Sequence, residues 1–590
     1  MKNLLLTCLL GIGFLTTVWW PPAALAQSPA VGPRLAFAAF RNGQWDIYAL
    51  APDGSDLRQL TNDPYEDTDP AYSPDGRYLA YASRRDRNWD IYLLDLQTGG
   101  LQRLTDSPHY DAAPAWRPDG QMIAFESYRS GNLDIWLVPP EPGASPTNLT
   151  ADSQAGDFSP AWRPDGQALA FTSWRTGDRD LFLLNLSGGD VTQLTSSPAA
   201  EFAPAWSSDG ARLAFTVDHL GDREIFTLDP TRPPADGGSA EQLSWLGRTD
   251  APAWLADSQT VAGLFHRWDG EIIALVDPLN RLPRLLTPPF LGQGRLSWHP
   301  AAVIAGQPVP DLRNRRLAHE ERLTPNQGAG VEPYNLIRQD NLETGSPWLA
   351  DTVDDSFQRW REALRSEVGY DFLASLSDVL RDPAAYSDTS QYASWHKSGR
   401  AVDTLFDYHI DGQLVHEIVR ETYSGETYWR VFLRCADQSG RCGRPLVENP
   451  WNYSSRARTE IAPDQGGIEK PIPDGYYVDM TGLGRLYGWE RISSYDDVDY
   501  SWTWHFLAFE YWHYQNRRAI GPDGRIGEQP LNWYQAMSEV YPPDTLTRYF
   551  TWDKMRRLDE DPYLIALKGV PLPPSERPWW RLVQDGLEAR

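Results

Sequence analysis

The first half of the chain is patterned as short, strand-like runs that repeat. Apolar or alternating runs such as Tyr78 to Ser83 are separated by Pro-Asp-Gly and other glycine-containing turns, a pattern typical of β-strands. Equivalent runs recur about every 45 residues. A phrase of proline, alanine and an aromatic residue begins at Pro70, Pro114, Pro160 and Pro204, with weaker copies at Pro252 and Leu296. A second phrase, an acid followed by an aliphatic residue, begins at Asp46, Asp90, Asp134, Asp180, Glu224 and Glu271.

Each unit predicts about four strands, which is one blade of a β-propeller. Six units close the ring and protect the sheet edges. The chain enters at the strand Arg34 to Phe40 without a preceding copy of the proline phrase, whereas Arg295 to Gly306 supplies one after the sixth unit. This last segment is therefore predicted to complete the first blade.

Residues 32 to 306 resemble the TolB-type propeller repeats of bacterial envelope proteins. The resemblance rests on the repeated phrases and implies a six-bladed β-propeller over residues 32–308 that binds proteins or peptides. A shared fold is weak support for a shared function. The repeated tryptophans are interpreted as core side chains between blades, in preference to ligand-stacking residues.

Acidic residues recur where the predicted innermost strands begin. Four lie three residues before the proline and a fifth is nearly in register, giving the set Asp67, Asp111, Asp157, Glu201 and Asp250. Two interpretations stay open. The carboxylates either ring one mouth of the central channel, or they lie in solvated loops and make local turn bonds, and the second is favoured.

The repeat signals stop after the sixth unit, and a second domain follows. Residues 309–332 are polar with scattered proline, asparagine and glycine, which predicts a linker. Apolar residues then recur at helical spacing within Ser356 to Val368, and Thr427 to Leu433 is strand-like. Residues 333–590 are therefore predicted to form an α+β domain.

Two histidines of this domain have neighbours that suit a zinc site. His396 precedes Asp403 by seven residues, and His513 follows Glu510 by three. A hydrolytic zinc site needs three protein ligands and an open fourth position, with a further carboxylate to take a proton from water. Gly399 permits a turn that brings His396 and Asp403 together, and a helical turn would place Glu510 and His513 on one face. Each pair alone is more often structural, but together they predict a zinc site.

The pattern S-x-H-x-x-G-x-A-x-D from Ser394, followed by E-x-W-H, resembles the VanY-type D-alanyl-D-alanine carboxypeptidases. These enzymes share their fold with the hedgehog signalling domain. The resemblance covers roughly residues 340 to 525. It implies that His396, Asp403 and His513 bind zinc and that Glu510 is the catalytic base.

The same family places an arginine upstream of the motif to hold the substrate carboxylate. The nearest residue here is Arg381, in a Leu-Arg-Asp-Pro setting where the family has Tyr-Arg, and Ser394 is assigned with it to substrate binding. Arginine suits the task because its planar fork binds a carboxylate through two bonds. A surface arginine at a helix end is the open alternative. The insert Thr404 to Phe509 is longer than in the family, and the tail to Arg590 lies outside the resemblance.

Composition and charge limit the possible partners and the cellular location of the protein. The 590 residues include 80 acids against 54 strong bases, for a net charge of −26, which disfavours a nucleic-acid partner. Residues 1–26 combine Lys2, an apolar stretch and Ala-Leu-Ala, and predict a secretory signal peptide. An uncleaved anchor is the alternative, and no later segment is predicted to span a membrane. Export favours a disulfide between Cys435 and Cys442.

These observations predict a multidomain protein in which an all-β six-bladed β-propeller is followed by an α+β hedgehog/DD-peptidase-like zinc domain. The preferred hypothesis is a secreted zinc metallopeptidase of the periplasm or cell envelope. It would act on a peptidoglycan stem peptide, with the propeller as a docking module for substrate or a protein partner. The alternative is a non-catalytic scaffold in which the propeller binds partners and zinc is structural. Glu510 favours catalysis, because a structural site needs no base.

Overall fold

The computed structural model describes most of the two predicted domains. The described residues are 30–236, 238–267, 270–277, 282–312, 321–323, 336–385, 394–452, 454–455, 466–496, 501–520, 526–557, 565–566 and 568–571. The predicted signal peptide at 1–26 and most of the predicted linker lie outside them. No helix within the described ranges is long and apolar enough to cross a membrane.

The first half of the chain forms six antiparallel sheets, one for each sequence unit. The first contains β1 (Val31–Arg41), β2 (Gln44–Leu50) and β3 (Arg58–Gln59). The second contains β4 (Asp67–Tyr72), β5 (Tyr78–Ser83), β6 (Asp90–Asp95) and β7 (Leu101–Arg103). The third contains β8 (Asp111–Trp116), β9 (Ile123–Ser127), β10 (Asp134–Val138) and β11 (Thr147–Asn148). The fourth contains β12 (Asp157–Trp162), β13 (Ala168–Ser173), β14 (Asp180–Asn185) and β15 (Val191–Gln193).

The last two sheets repeat this order. The fifth contains β16 (Ala200–Trp206), β17 (Leu213–His219), β18 (Asp222–Leu228) and β19 (Ala240–Gln242). The sixth contains β20 (Thr249–Trp254), β21 (Val261–Arg267), β22 (Gly270–Val276) and β23 (Arg284–Leu285). The Pro-Asp-Gly turns place Gly76, Gly120 and Gly166 at positive φ, a conformation that glycine adopts without a steric penalty.

The ring closes as predicted, through the segment that follows the sixth blade. The strand β24 (Leu291–Val303) pairs antiparallel with β1, with Trp298 opposite Leu35. The innermost strands β24, β4, β8, β12, β16 and β20 contact one another in a closed circle. A further strand, β25 (Gln307–Pro308), pairs with β3 on the outer edge of the first blade. The prediction that the last segment completes the first blade is confirmed.

The repeated tryptophans join neighbouring blades, as the sequence predicted. The indole N–H of Trp116 donates to the carbonyl of Ala71 in the preceding blade at 3.2 Å. Trp162 and Trp206 make the same bond one and two blades further on, at 3.1 and 3.2 Å. Trp254 continues the series at 3.0 Å. Each ring therefore fills the space between blades and satisfies its polar atom there.

The recurring acids are buried, so the favoured interpretation as solvated loop residues is wrong. Asp67, Asp111 and Asp157 are inaccessible to solvent, and Glu201 and Asp250 are at most 9% exposed. Three of them, Asp67, Asp111 and Asp157, pair with an arginine of the same blade; Arg175, for example, donates to Asp157 at 2.9 Å. Asp250 pairs with Arg223 of the fifth blade at 3.1 Å and is the one acid of the five that lines the channel cavity among the described residues. The acids therefore tie strands together, and they do not form a ring of charge at the channel mouth.

A bulge two residues further along each innermost strand faces the channel instead. Its residue has positive φ in every blade, namely Asp69, Ala113, Ser159, Ala203, Ala251 and Gly294. Bulges of this kind redirect the backbone locally. Arg295 reaches across the channel and donates to the carbonyls of Ala113 at 3.3 Å and Pro160 at 3.1 Å. A cation from the closing strand therefore spans the centre of the propeller.

Leu296 of the closing strand gives a test of ring closure. Its side chain is 7% exposed and packs in a cluster with residues of the first and sixth blades. Leu296→Ala is expected to lower the free energy of unfolding by about 2–5 kcal/mol, because it leaves a cavity in a packed core. The measurement is urea unfolding followed by tryptophan fluorescence. Leu282→Ala, at a side chain 80% exposed, is the control and should change stability by less than about 0.5 kcal/mol. Equal effects of the two changes would contradict this account of closure.

The second domain contains two four-stranded sheets and several helices. Its strands up to residue 434 are β26 (Leu336–Arg338), β27 (Trp348–Ala350), β28 (Leu376–Asp378), β29 (Ala401–Thr404), β30 (His409–Ile410), β31 (Gln413–Leu414), β32 (His416–Tyr423) and β33 (Glu426–Arg434). The later strands are β34 (Arg444–Pro445), β35 (Trp451–Asn452), β36 (Ile468–Glu469), β37 (Tyr476–Asp479), β38 (Glu490–Arg491), β39 (His513–Gln515), β40 (Arg518–Ile520) and β41 (Ile526–Pro530). The helices are α1 (Asp354–Val368), α2 (Met480–Leu486), α3 (Trp533–Val540), α4 (Pro543–Tyr549) and α5 (Trp552–Arg556).

The predicted helix and strand of this domain both form. Helix α1 begins two residues before the predicted start and buries the predicted apolar face, with Trp360 stacked on Trp489 at 6.0 Å between ring centroids. One sheet has the order β28-β29-β39-β38, and the other has the order β32-β33-β37-β34. The second sheet belongs to the long insert, which also contains the disulfide between Cys435 and Cys442.

The second domain packs against the channel face of the propeller through ion pairs. Helix α1 contributes Glu367, which pairs with Arg84 of the second blade. The insert pairs with blades two, five and six through Glu66–Arg444, Arg223–Glu448, Arg248–Glu421 and Glu271–Arg485. A cavity of about 540 Å³ remains between the propeller channel and the insert. The channel mouth is therefore covered by another part of the same chain, and the second domain is held in a defined position on the propeller.

Candidate metal centre

The motif segment positions its histidine with a capped turn. Ser394 precedes the single turn Trp395–Ser398, and its hydroxyl accepts from the backbone N–H of His396 at 3.2 Å. Gly399 ends the turn at φ 64°, a left-handed conformation that favours glycine. The chain then enters β29, which carries Asp403. Gly399 thus permits the predicted turn of the chain between His396 and Asp403.

The sheet places the late histidine opposite the motif aspartate. Strands β29 and β39 are neighbours, and their register pairs Asp403 with His513. Asp403 Oδ1 lies 2.8 Å from His513 Nδ1 and 3.1 Å from His396 Nε2. Ligand atoms of the three residues lie within 4.8 Å of one another, and each residue is buried. The structure therefore brings the three predicted ligands together.

A backbone carbonyl fixes the orientation of His396. Its Nδ1 lies 2.8 Å from the carbonyl oxygen of Val379, so this nitrogen carries the proton and donates. The other nitrogen, Nε2, is buried and faces Asp403 Oδ1 at 3.1 Å. Metal-binding histidines commonly donate their second nitrogen in this way. A buried Nε2 beside a carboxylate and a second imidazole is a donor set that fits zinc.

Asp403 and the two histidines of the cluster influence the ionisation of one another. Burial alone would raise the pKa of Asp403, but His396 and His513 hold it far below the usual range. Burial lowers the pKa of His396, but Asp403 and Asp378 together hold it above the usual value. The carboxylate is therefore ionised and available as a ligand at neutral pH.

Glu510 lies on a tight turn immediately before β39. Its φ is 58°, and its carbonyl accepts from the backbone N–H of His513 at 3.2 Å. This single hydrogen-bonded turn takes the place of the helical turn that would have put the two residues on one face. Glu510 is 6% exposed and is absent from the ligand cluster. Burial raises the pKa of its carboxyl group to about 7, in the range expected for a general base.

The two predicted substrate-binding residues lie at the edge of the cluster. Arg381 follows β28 and is not at a helix end, so the alternative of a surface arginine capping a helix is wrong. Its Nη1 lies 3.3 Å from Ser394 Oγ, and its Nη2 lies 3.8 Å from Asp403 Oδ2. Its Nε donates to Asp378. The guanidinium group is thus held beside the cluster.

Part of the chain beyond the resemblance supports the motif. Arg400 is fully buried and pairs with Glu539 of α3. The indole N–H of Trp533 donates to the carbonyl of Ser394 at 3.0 Å, and the hydroxyl of Tyr541 donates to that of Lys397 at 2.7 Å. Sequence reasoning missed these contacts. Arg400 occupies a variable position of the motif, and a buried arginine leaves no signal in a hydrophobic pattern.

Sequence reasoning also missed Val379 and Asp378. They lie two and three residues before the predicted Arg381, but Val379 acts through its backbone carbonyl, which every residue type has. Asp378 is one of many acids in an acidic chain, and only its ion pair with Arg381 marks it. No pattern in the sequence singles out either residue.

Comparisons with known proteins cover the first half of the chain. The sequence model of the TolB beta propeller domain matches residues 28–151 and 144–305. The crystal structure of TolB from Acinetobacter baumannii matches at 22% identity with a TM-score of 0.40, over 45% of this chain and 66% of that one. The structure of a putative TolB from Agrobacterium tumefaciens matches at 19% identity with a TM-score of 0.36, over 46% and 99%. No curated protein matches the chain. The described residues between 30 and 305 therefore form a β-propeller whose sequence matches the TolB propeller domain.

Proposed function

We propose that the chain is a secreted zinc-dependent peptidase that acts on cell-wall peptides, in the manner of a D-alanyl-D-alanine carboxypeptidase. The observation that carries the proposal is the convergence of His396, Asp403 and His513 beside a buried carboxylate, Glu510, that is not one of the ligands. Two imidazoles and one carboxylate leave a fourth tetrahedral position open. A purely structural zinc site has no use for the additional carboxylate.

The residues present suit zinc in donor type and orientation. Nε2 of His396 and the ionised carboxylate of Asp403 offer ligand atoms within 4.8 Å of one another. Zinc bound there supplies Lewis acidity toward a peptide carbonyl and toward water. The remaining chemistry belongs to side chains of the chain itself.

Glu510 is assigned the proton transfers. Its raised pKa suits a carboxylate that takes a proton from the attacking water and returns it to the leaving amine. Arg381 is assigned to the terminal carboxylate of the peptide, because its guanidinium lies at the cluster next to Ser394. The ion pair with Asp378 orients the guanidinium and shares its charge. The mechanism therefore uses Glu510 as the base and Arg381 as the residue that binds the terminal carboxylate of the peptide.

The propeller is assigned a supporting role in the cell envelope. Its channel face holds the insert of the second domain through buried ion pairs, so docking of an external protein partner is assigned to the surfaces that the insert leaves open. The predicted signal peptide supports export. We propose a periplasmic or extracellular location on that ground.

The proposal is tested by metal content together with hydrolysis. Purified mature protein is expected to contain about one zinc ion per chain and to release D-alanine from muramyl-type peptides. His396→Ala and His513→Ala should each lose most of the zinc, because two ligands cannot complete a tetrahedral site. His219→Ala, at an exposed position of the propeller, is the matched control and should keep both properties.

Two outcomes would count against the proposal. A wild-type protein that binds no zinc would overturn the metal site and the peptidase together. A protein that binds zinc through these residues but cleaves none of the peptides would leave the scaffold alternative, in which the metal stabilises the fold.

A further inference from the structure

The buried arginine of the motif joins both strands that carry the predicted zinc ligands. Arg400 lies directly before β29, which carries Asp403, and it is fully buried. Its Nη1 donates to the carbonyl oxygens of Asn516 and Arg518, each at 3.1 Å. Asn516 directly follows β39, which carries His513, and its backbone N–H donates to the carbonyl of Arg400 at 2.8 Å. Arg400 therefore ties the start of β29 to the end of β39.

Every N–H group of the Arg400 guanidinium has an acceptor. Nε and Nη2 both donate to Oε2 of Glu539, at 3.1 and 2.5 Å, and Nη2 also donates to the hydroxyl of Thr352 at 2.6 Å. With the two carbonyls, these bonds use all the donors that an arginine has. The compensating carboxylate comes from α3, which lies outside the region of the family resemblance. Lysine could not replace this planar group, because its donors all lie on one nitrogen.

Helix α3 also holds the turn on which His396 lies. The indole N–H of Trp533, the first residue of α3, donates to the carbonyl of Ser394 at 3.0 Å. The hydroxyl of Tyr541, the residue after α3, donates to the carbonyl of Lys397 at 2.7 Å. These two carbonyls lie on either side of His396 in the chain. The helix therefore contacts the motif turn from both of its ends, and Glu539 lies between these two contacts.

We propose that Arg400 and Glu539 are positioning residues of the candidate metal centre, a role that rests on the proposed function. Arg400 fixes the two ligand strands relative to each other, and Glu539 holds Arg400 in the place from which it does so. Neither residue belongs to the ligand cluster. Replacement of residues that orient metal ligands commonly changes metal affinity by about 10–100-fold. Helix α3 is therefore a working part of the metal centre.

The test is the zinc affinity of the full mature chain, measured by competition with a chromophoric chelator. Arg400→Lys keeps the positive charge but cannot span the four acceptors, so it should weaken zinc binding by about 10–100-fold. Glu539→Gln keeps the shape of the side chain and removes its charge, and it should weaken zinc binding about tenfold. Cobalt bound in place of zinc should show altered absorption bands in both variants, because these bands depend on the coordination geometry.

A double variant tests whether Glu539 acts through Arg400. If it does, the protein with both Arg400→Lys and Glu539→Gln should bind zinc no more weakly than Arg400→Lys alone. Glu362→Gln, at an exposed partner of Arg359 on α1, is the matched control and should keep the wild-type affinity and cobalt spectrum. The melting temperature of the metal-free protein verifies that each variant folds. Glu539→Gln is the milder change, and it keeps the test decisive if Arg400→Lys does not fold.

Three results would overturn the positioning role. A lower melting temperature with unchanged zinc affinity and cobalt spectrum would show that the pair stabilises the fold and positions no ligand. Additive losses of affinity in the double variant would show that Glu539 acts separately from Arg400. Both results leave the metal centre and the peptidase proposal intact. A wild-type protein that binds neither zinc nor cobalt would overturn the proposed function, and the positioning role with it.

Discussion

Replacement of Glu510 by alanine should leave zinc bound and lower peptide hydrolysis by about a hundredfold or more. Glu510 is buried beside the cluster but contributes no ligand atom to it. Its removal therefore takes away the proton acceptor while His396, Asp403 and His513 stay in place. The measurement compares zinc content by elemental analysis with the turnover number on a peptide ending in D-alanine. Glu510→Gln should behave like the alanine variant, because an amide keeps the shape but accepts no proton.

Asp403→Ala is the informative contrast. Asp403 contacts both histidines, so its loss should release most of the metal and abolish activity together. Added zinc is expected to restore part of both, because the two histidines remain. Asp106→Ala, at a propeller side chain 84% exposed, is the control and should change neither quantity. Full zinc content in Asp403→Ala, or loss of zinc from Glu510→Ala alone, would reverse the roles assigned to the two carboxylates.

The propeller was predictable because its signals are repeated. A single proline phrase has many interpretations, but six copies at constant spacing fix the number of blades and the order of strands. The closure of the ring was predictable from the same repeat. The first unit lacks its own proline phrase, and one further copy follows the sixth unit, so this copy has to complete the first blade. The tryptophans were interpreted correctly because four of them occupy the same position of the repeat. Equivalent positions in a repeat fold have the same surroundings, here the core between two blades.

The burial of the repeated acids was not predicted, although a signal existed. An arginine follows the acid by eighteen residues in three units, giving the pairs Asp67–Arg85, Asp111–Arg129 and Asp157–Arg175. Eighteen residues separate the first residue of the innermost strand from the position just after the end of the neighbouring strand. The recurrence of an opposite charge at that distance predicts an ion pair within the blade. It distinguishes buried acids from solvated ones.

The candidate metal centre was predictable in its side chains but not in the backbone that positions them. His396 and Asp403 are close in sequence, and a glycine marks the turn between them. The turn at Glu510 was not predicted because a bulky residue with positive φ is rare. The packing of the insert on the propeller has no local signal at all. Its charged partners are up to several hundred residues apart, as in Glu66 and Arg444, and no periodicity relates them.

The domain interface gives the second large expected effect, from Glu421→Gln. Glu421 is 2% exposed and pairs with Arg248 of the propeller and Arg491 of its own domain, with Arg430 at 3.8 Å. Loss of its charge leaves buried guanidinium groups uncompensated. Changes of this kind cost about 3–5 kcal/mol. The measurement is urea unfolding of the full chain, in which we expect the midpoint to fall and the second domain to become sensitive to protease at lower urea concentration.

The pH dependence of the stability difference between wild type and Glu421→Gln tests whether the ion pairs of Glu421 cause it. Burial would raise the pKa of Glu421, but Arg248 and Arg491 hold it well below the usual range. A carboxyl group with a lowered pKa in the folded state stabilises the fold fully above its unfolded pKa of about 4.3, and this contribution is lost as the pH falls toward the folded pKa. The gap between wild type and Glu421→Gln should therefore be constant from about pH 5 to 7 and shrink below about pH 4. Glu426→Gln, exposed at the end of the same sheet, should match wild type within about 0.5 kcal/mol. A Glu421→Gln protein as stable as that control at pH 7 would show that the ion pairs do not hold the domains together.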